Sequence, residues 1–481
     1  MASKSLLTES VDFYIQAAQD NRTRRNRSKT VEYEIRFTPN YREGNRPINV
    51  VQFNRVIRSL MSHGFELDAS NYQMKVIPSY INEKGYTQQS RTRLEINDLG
   101  GIQQLCQTNN IPEKSSFVTK KYFDFGIEGK NPFKNDDYMF RASIQTEEMK
   151  QSTNNDVVSL MREWNDSLKL FRYIHRMSFV HKAMSNIRVD MSKVKSNFKD
   201  LSRTFTQSQV LDKKETYEIE IEATNNEDIN KTQLLTELKK SIRYICNGLQ
   251  NTEFPLPLKM IESSRALYYN ILGTSIPKYN DSKTFIGPSS YTLQKINLIK
   301  YEDEPQNTQV SIQDEFCVTD KADGERNLML VSENGKCYFI NTNMEFMYTG
   351  FTITNKKLYG TIIDGEMIKY DKYGNIINVY AMFDMYFLNK RDVRTFPFYL
   401  NDVDVKEQKM RYELLKRFGQ MINMEENQKY DSVSNRISFE VKHFAVSNKA
   451  DPSSIFKASK VLLSRINSNT YIYNTDGLIY T

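Results

Sequence analysis

The 481-residue chain has only four cysteines and four histidines. Cys106, Cys246, Cys317 and Cys337 lie far apart with no C-x-x-C, and His63, His175, His181 and His443 make no zinc spacing with them. A zinc centre and a disulfide scaffold are both excluded as organising devices. Long hydrophobic runs are also missing. Even Val379 to Leu388 is interrupted by Asp384, and the mean hydropathy is −0.62. Nothing approaches the ~20 apolar residues of a membrane span, so a soluble protein with no membrane partner is expected. Residues 1–16 carry Lys4, Glu9 and Asp12, which leaves no continuous apolar segment for a signal peptide. Nor does one sign of charge dominate: 66 basic against 59 acidic residues give +7, which suits a polyanionic partner without demanding one. Any metal must therefore be held by carboxylates, which favours magnesium or manganese.

At roughly 150 residues per domain the length predicts two to four domains. Aromatic residues, 12% of the chain, can build large cores. Alternating runs at Val31 to Phe37, Arg91 to Ile96, Phe140 to Thr146, Ile187 to Val194 and Tyr217 to Ala223 predict strands. Helical spacing covers Ile48 to His63, Asp156 to Phe171 and Thr232 to Leu249. New short strands with Gly and Pro turns begin after Gly273, so the main boundary is placed near residue 240, giving domains 1–240 and 241–481. The basic stretch from Asn21 to Lys29, with Arg22, Arg24, Arg25 and Arg27, reads as a solvated linker.

Two segments share one design. In Glu32-Tyr33-Glu34-Ile35-Arg36-Phe37 and Tyr217-Glu218-Ile219-Glu220-Ile221-Glu222, charged and apolar residues strictly alternate. Alternate residues of a strand share a face, so each strand has an acidic face and an oily one. Crowded carboxylates need cations opposite. Arg91 and Arg93, Arg141 with Ser143, Arg176 with Ser178, and Arg188 with Asp190 and Ser192 supply them at the same spacing. An ordinary solvated sheet face explains one such strand. Five of them, with carboxylates in the first and last and Arg with Ser between, fit a closed barrel with a polar interior better. Its carboxylates would hold a divalent metal and its basic residues would grip phosphates.

On these Glu-x-Glu strands the chain resembles the triphosphate tunnel metalloenzymes, specifically the RNA triphosphatases of capping enzymes from poxviruses, African swine fever virus and giant viruses. The resemblance covers residues ~30 to 225. It implies that Glu32, Glu34, Glu220 and Glu222 are catalytic through a bound Mg2+ or Mn2+, and that Arg36, Arg91, Arg93, Arg141, Arg176 and Arg188 bind the triphosphate.

The second half carries Lys321-Ala322-Asp323-Gly324-Glu325-Arg326 in a predicted polar turn before the strand Leu328 to Val331. Alone, K-x-D-G is a weak signal. Asp364-Gly365-Glu366 at the end of an apolar strand, Tyr380 to Asp384, and the closing Asp476-Gly477 strengthen it. Order and spacing resemble the covalent nucleotidyltransferase superfamily of mRNA guanylyltransferases and polynucleotide ligases, with Lys321 opening motif I, Tyr338 to Asn341 at motif III, Asp364 to Glu366 at motif IIIa and Asp476 in motif IV. Phe285-Ile286-Gly287-Pro288 is similar to a guanylyltransferase segment upstream of the lysine.

That resemblance implies an α+β fold, GTP as substrate and a Lys321–GMP phosphoramidate, with GMP passed to a diphosphate RNA end. Asp323, Gly324, Arg326, Phe339, Glu366 and Asp476 would complete the GTP site, with Asp476 on metal and Phe339 either on the guanine or in the core. The basic residue common in motif III is absent from 341–343. The expectation is a chain cut after motif IV, with the Lys-x-Lys strand, the OB-fold and any methyltransferase domain missing.

Together these segments predict a bifunctional mRNA capping enzyme: an antiparallel β-barrel tunnel with flanking helices, then a nucleotidyltransferase domain. Its substrates would be 5'-triphosphate RNA and GTP, its partner a methyltransferase or the transcription machinery, and its location the viral factory of the host cytoplasm or the virion. An ATP-dependent polynucleotide ligase and a non-catalytic triphosphate-RNA docking module stay open as alternatives.

Overall fold

The structure is a computed structural model that describes residues 5–23, 29–37, 47–81, 87–125, 131–224, 229–277, 281–300, 310–399, 410–432, 436–448 and 451–481. Arg24, Arg25 and Arg27 of the basic stretch lie outside them. The chain divides into two compact units, Met1–Asn251 and Thr252–Thr481.

The strands of the first unit are β1 (Lys29–Phe37), β2 (Phe65–Ile81), β3 (Thr87–Gln89), β4 (Thr92–Ile96), β5 (Ser116–Tyr122), β6 (Phe133–Asn135), β7 (Phe140–Lys150), β8 (Leu168–His181), β9 (Met184–Ser196) and β10 (Thr216–Ala223). Antiparallel pairing runs β1-β10-β9-β8-β2-β4-β5-β7 and returns to β1, with β3 added to β2 and β6 to β7. Eight strands thus close into a barrel, and closure leaves no open edge among them. The helices are α1 (Leu6–Thr23), α2 (Val50–Ser62), α3 (Leu99–Thr108), α4 (Asn155–Arg162), α5 (Phe205–Ser208) and α6 (Lys231–Gln250).

The oily faces of the strands point outwards. Tyr33, Ile35, Ile219, Ile221, Val189 and Met191 are buried in one cluster with Val11 and Tyr14 of α1, Phe53, Val56 and Leu60 of α2, and Leu238 and Ile245 of α6. Met74, Val76, Leu94 and Phe171 form a second cluster with Leu105 of α3, Leu160 of α4 and Trp164. The hydrophobic core therefore lies between barrel and helices, and the lumen is left to the charged residues. Helices α2 and α6 press together at Gly248, where a Cβ would stand 2.5 Å from Val56 Cα.

Three expectations need correction here. The boundary near 240 falls inside α6, whose buried stripe from Leu234 to Leu249 belongs to the first unit, so the units part after Asn251. The helix expected over Asp156 to Phe171 ends at Arg162, because Leu170 and Phe171 enter β8 and alternate into the barrel wall. Strands β2, β3, β5 and β6 were not expected at all, and of β8 only Arg176 and Ser178 were singled out. In β2 both faces carry polar residues around Ser70, Asn71 and Gln73, and Pro78 interrupts the pattern.

In the second unit the strands are β11 (Cys317–Ala322), β12 (Glu325–Val331), β13 (Lys336–Asn341), β14 (Phe346–Ile353), β15 (Ile362–Tyr370), β16 (Ile376–Leu388), β17 (Arg391–Asp392), β18 (Gln428–Tyr430), β19 (Ser438–Val441), β20 (Ala445–Val446) and β21 (Thr475–Tyr480). The helices are α7 (Leu258–Ile271), α8 (Arg411–Ile422) and α9 (Ser454–Asn467). One sheet runs β17-β16-β15-β12-β13-β14-β18 with β19 parallel to β16, and a small one runs β20-β11-β21. Both faces of the large sheet are covered. Met329, Val331 and Ile363 join the α8 side with Leu415 and Phe418, while Leu328, Leu330 and Ile362 join the α7 side with Tyr268 and Tyr269. That is why Leu328 to Val331 reads as an unbroken apolar run.

Candidate active sites

Strand register carries the acidic pairs into the barrel. On β1 and β10, Glu34 lies opposite Glu222 and Arg36 opposite Glu220; on β10 and β9, Glu220 lies opposite Asp190 and Glu222 opposite Arg188. The lumen is a cavity of about 450 Å³ lined by seven glutamates and eight Lys or Arg side chains. Two like charges 4 Å apart repel by about 4 kcal/mol in a protein-like medium, so this density exists only with the signs interleaved.

Each expected glutamate meets a cation. Lys120 Nζ lies 2.7 Å from Glu32 and 3.3 Å from Glu34. Arg36 pairs with Glu34 at 3.1 Å and with Glu220, which also takes Arg176 at 3.3 Å. Arg188 holds Glu222 at 2.6 Å and Asp190 at 2.9 Å, and Ser178 Oγ donates to Asp190 at 2.7 Å. Burial alone would push the Glu220 carboxyl up, but Arg36 and Arg176 outweigh it and hold it at about 2. At Glu222 burial wins over Arg188, and Glu32 and Asp190 add to it, so its carboxyl is pushed up to about 7. Burial opposes the charge of Lys120, yet Glu34 and Glu32 keep it above its ordinary value.

Of the expected phosphate-binding residues, Arg36, Arg93, Arg141, Arg176 and Arg188 line the cavity. Arg91 does not. It is exposed ahead of β4, whose first residue is Thr92, so its alternation with Arg93 outruns the strand. Lys75, Lys120 and Arg172 were missed, whereas Glu95 and Glu147 line the cavity on the faces that their alternation with Arg93 and Arg141 predicts. Lys75 and Lys120 sit on the unexpected strands, and the adjacent pair Lys120-Lys121 hides the period of two.

Among the described residues no three carboxylate, His or Cys side chains are gathered closely enough to hold an ion as they stand. The donor chemistry nevertheless fits a hard divalent cation. The facing acids are all-oxygen donors, the ligand type such an ion takes.

In the second unit Lys321 lies near the end of β11 rather than in a turn; the turn is Asp323-Gly324. Its Nζ is 2.9 Å from Asp476 of β21, so motifs 155 residues apart in sequence meet across one strand pair. Gly324 lies against β15, where a Cβ would stand 2.7 Å from Glu366 Cγ. Burial pushes the Glu366 carboxyl up to about 7, opposed by Lys442 and reinforced by Asp364. Arg326 grips Asp364 bidentately at 3.1 and 2.6 Å and donates to Pro288 O at 2.7 Å. The guanidinium also lies between the rings of Phe285 and Phe383, at 5.5 and 5.7 Å. The segment Phe285 to Pro288 is thereby joined to motif I, and Gly287 passes so close that a Cβ would meet Arg326 Nη2 at 2.6 Å.

Of the two places open to it, Phe339 takes the core. It is 8% exposed and packed on Tyr380 at 4.8 Å in the α8-side core, because its strand is buried on both faces. Lys442 was missed. It is buried with its Nζ 3.1 Å from the Asp320 carboxylate, which also accepts from Tyr473 at 3.2 Å, and it fixes the residue before Lys321. Its only sequence signal was a lysine inside the apolar alternation Phe439 to Phe444.

Residues 303–481 match the family model described as mRNA capping enzyme, catalytic domain. A mimivirus protein, from Acanthamoeba polyphaga mimivirus, described as a probable mRNA-capping enzyme, is 27% identical over 229 residues. The chain resembles a giant-virus mRNA capping enzyme. That alignment covers 47% of this chain and 16% of the mimivirus capping enzyme, so the chain spans about a sixth of that relative's length. The RNA triphosphatase domain of a trifunctional mimivirus capping enzyme is 17% identical with a TM-score of 0.32, covering 48% of this chain and 96% of that one. The S. pombe Pct1 RNA triphosphatase is 13% identical with a TM-score of 0.29, covering 51% and 93%. The capping-enzyme resemblance read from the motifs is thus supported by the family match to the second unit. Among the described residues no helix is long and apolar enough to cross a membrane.

Proposed function

We propose that the chain carries two successive steps of mRNA 5' capping: hydrolysis of the γ-phosphate of triphosphate RNA in the barrel, and transfer of GMP from GTP through Lys321. One observation carries the first step. The four glutamates of the two Glu-x-Glu strands converge on a single lumen walled by cationic side chains. Such a cavity suits a polyanion that must be neutralised while one phosphoryl group leaves.

Glu32, Glu34, Glu220 and Glu222 would hold Mg2+ or Mn2+. A bound ion of this kind polarises phosphoryl oxygens and acidifies water. Arg93, Arg141 and Lys75 line the same lumen and would orient the phosphates, Arg as a planar fork and Lys as a point charge. Lys120 and Arg36 would exchange glutamate for phosphate oxygens, since both already bridge the acids at hydrogen-bond range.

For the second step the Lys321 amine sheds its proton and attacks the α-phosphate of GTP. A P–N bond forms, the P–O bond to pyrophosphate breaks, and the GMP then passes to a diphosphate RNA end. Asp476 orients the amine, and Lys442 with Asp320 fixes the strand that carries it. A methyltransferase or transcription-machinery partner, and a viral cytoplasmic setting, accompany this reading.

The deciding experiment is release of labelled phosphate from γ-labelled triphosphate RNA with Mg2+ or Mn2+, comparing the chain with Glu32→Ala and Glu220→Ala. Metal-dependent release lost in both variants is expected. A folded protein that releases none under either metal would overturn the triphosphatase reading and leave the docking alternative. Labelling of Lys321 by GTP in preference to ATP separates guanylyltransferase from ligase.

A further inference from the structure

Most of the outer wall of the barrel is covered by helices, and a narrow strip between their two clusters is only partly covered. On β8 the outward residues run Phe179, Met177, His175, Tyr173, Phe171. The first pair packs with the α1, α2 and α6 cluster, and Phe171 is buried in the α3 and α4 cluster. Between the two lies His175; Tyr173 packs at the edge of the α3 and α4 cluster, and Tyr72 stands beside both on β2. Tyr72 is 37% exposed and stacks on both, 4.4 Å from His175 at an interplanar angle of 13° and 5.8 Å from Tyr173 at 18°. Ser70 Oγ lies 2.9 Å from His175 Nε2 and fixes the ring.

The register places cations directly alongside. Lys193 of β9 is the cross-strand partner of His175 and Lys195 that of Tyr173, so both share the outward face. Lys195 Nζ donates to Leu211 O at 2.7 Å, and Lys193 makes no ion pair among the described residues. One carboxylate, Glu215, lies at the margin, bonded to Tyr217 at 3.3 Å. A row of near-parallel aromatic rings flanked by lysines on a rigid sheet is the arrangement that stacks bases and follows a phosphate backbone without reading sequence.

We infer that this strip docks single-stranded RNA, holding the strand whose triphosphate end enters the barrel; its place in the reaction rests on the triphosphatase reading above. The rings stack bases and the lysines neutralise the adjoining phosphates. Free nucleoside triphosphates, having no chain to lay along the wall, gain nothing from it.

The test uses fluorescence anisotropy with a labelled 5'-hydroxyl single-stranded RNA, which does not depend on hydrolysis. Replacing Tyr72 and His175 together by Ala should weaken binding roughly ten-fold, and Lys193→Glu should weaken it and flatten its salt dependence. Tyr72→Trp should bind like the unaltered chain, which a merely destabilised barrel would not. In parallel, release of phosphate from free GTP should be unchanged by all these variants, while that from triphosphate RNA falls. Equal RNA binding by the intact chain and the Ala and Glu variants, or none by any, overturns the inference; a strip used by a protein segment would give that result. Absence of hydrolysis with the binding differences intact would instead count against the barrel chemistry alone.

Discussion

The two units use β-structure in opposite ways. In the first, strands such as β1 and β10 divide their residues between an oily outside and a charged inside, so the candidate site is the inner surface and its charges support one another. In the second, the large sheet is apolar on both faces, and the candidate residues are few: Lys321 and Asp476 near strand ends of the small sheet and Glu366 midway along β15. A lumen of interleaved ion pairs tolerates few changes without disturbing its neighbours. A site of few residues can be altered with the core left standing.

This contrast can be broken most sharply by Lys321→Ala. Covalent labelling with α-labelled GTP should fall on the order of 10³-fold or more, with phosphate release from triphosphate RNA unchanged and the unfolding midpoint of the second unit hardly moved. Glu32→Ala should do the converse, lowering phosphate release by ~10²–10³, and should also take from Lys120 its nearest carboxylate, so Lys120→Ala and Glu32→Ala should combine non-additively in a double-mutant cycle.

A smaller effect is expected at Gly287, where an added Cβ displaces Arg326; Gly287→Ala should cut labelling about ten-fold with little loss of stability. Glu366 provides a pH signature. Its folded carboxyl is raised to about 7, so the folded chain binds that proton more tightly than the unfolded one; the stability this contributes is full at low pH and is lost as pH rises through about 7. Labelling should rise over the same interval as Glu366 becomes an acceptor, and Glu366→Gln should remove that inflection. The smallest change tests the outside of the barrel: Tyr33→Phe breaks its 2.8 Å hydrogen bond to Ser10 and should cost ~1 kcal/mol of stability with phosphate release unaltered.

The barrel was legible where alternation was strict. Glu32 to Phe37 and Tyr217 to Glu222 name their strands and faces from spacing alone, since a period of two has one structural meaning, and their chemistry through the family resemblance. It was illegible in β2 and β5, because residues such as Tyr72 and Lys121 face outward yet are polar enough to blur the pattern. The second site was legible as motifs and not as geometry. The family resemblance offered Phe339 a place on the base, whereas burial on both faces of the sheet put it in the core.

The sequence by itself determined which side chains share a strand face, and so which acids and bases had to be neighbours or be neutralised. Only the tertiary structure decided which strands pair. Closure of β1 on both β7 and β10 sets Lys120 between Glu32 and Glu34, and the pairing of β11 with β21 sets Lys321 on Asp476. The physical reason is that local periodicity fixes orientation within a strand, while register between strands is chosen by packing of the oily faces under α1, α2 and α6 and by balance of charge across the lumen.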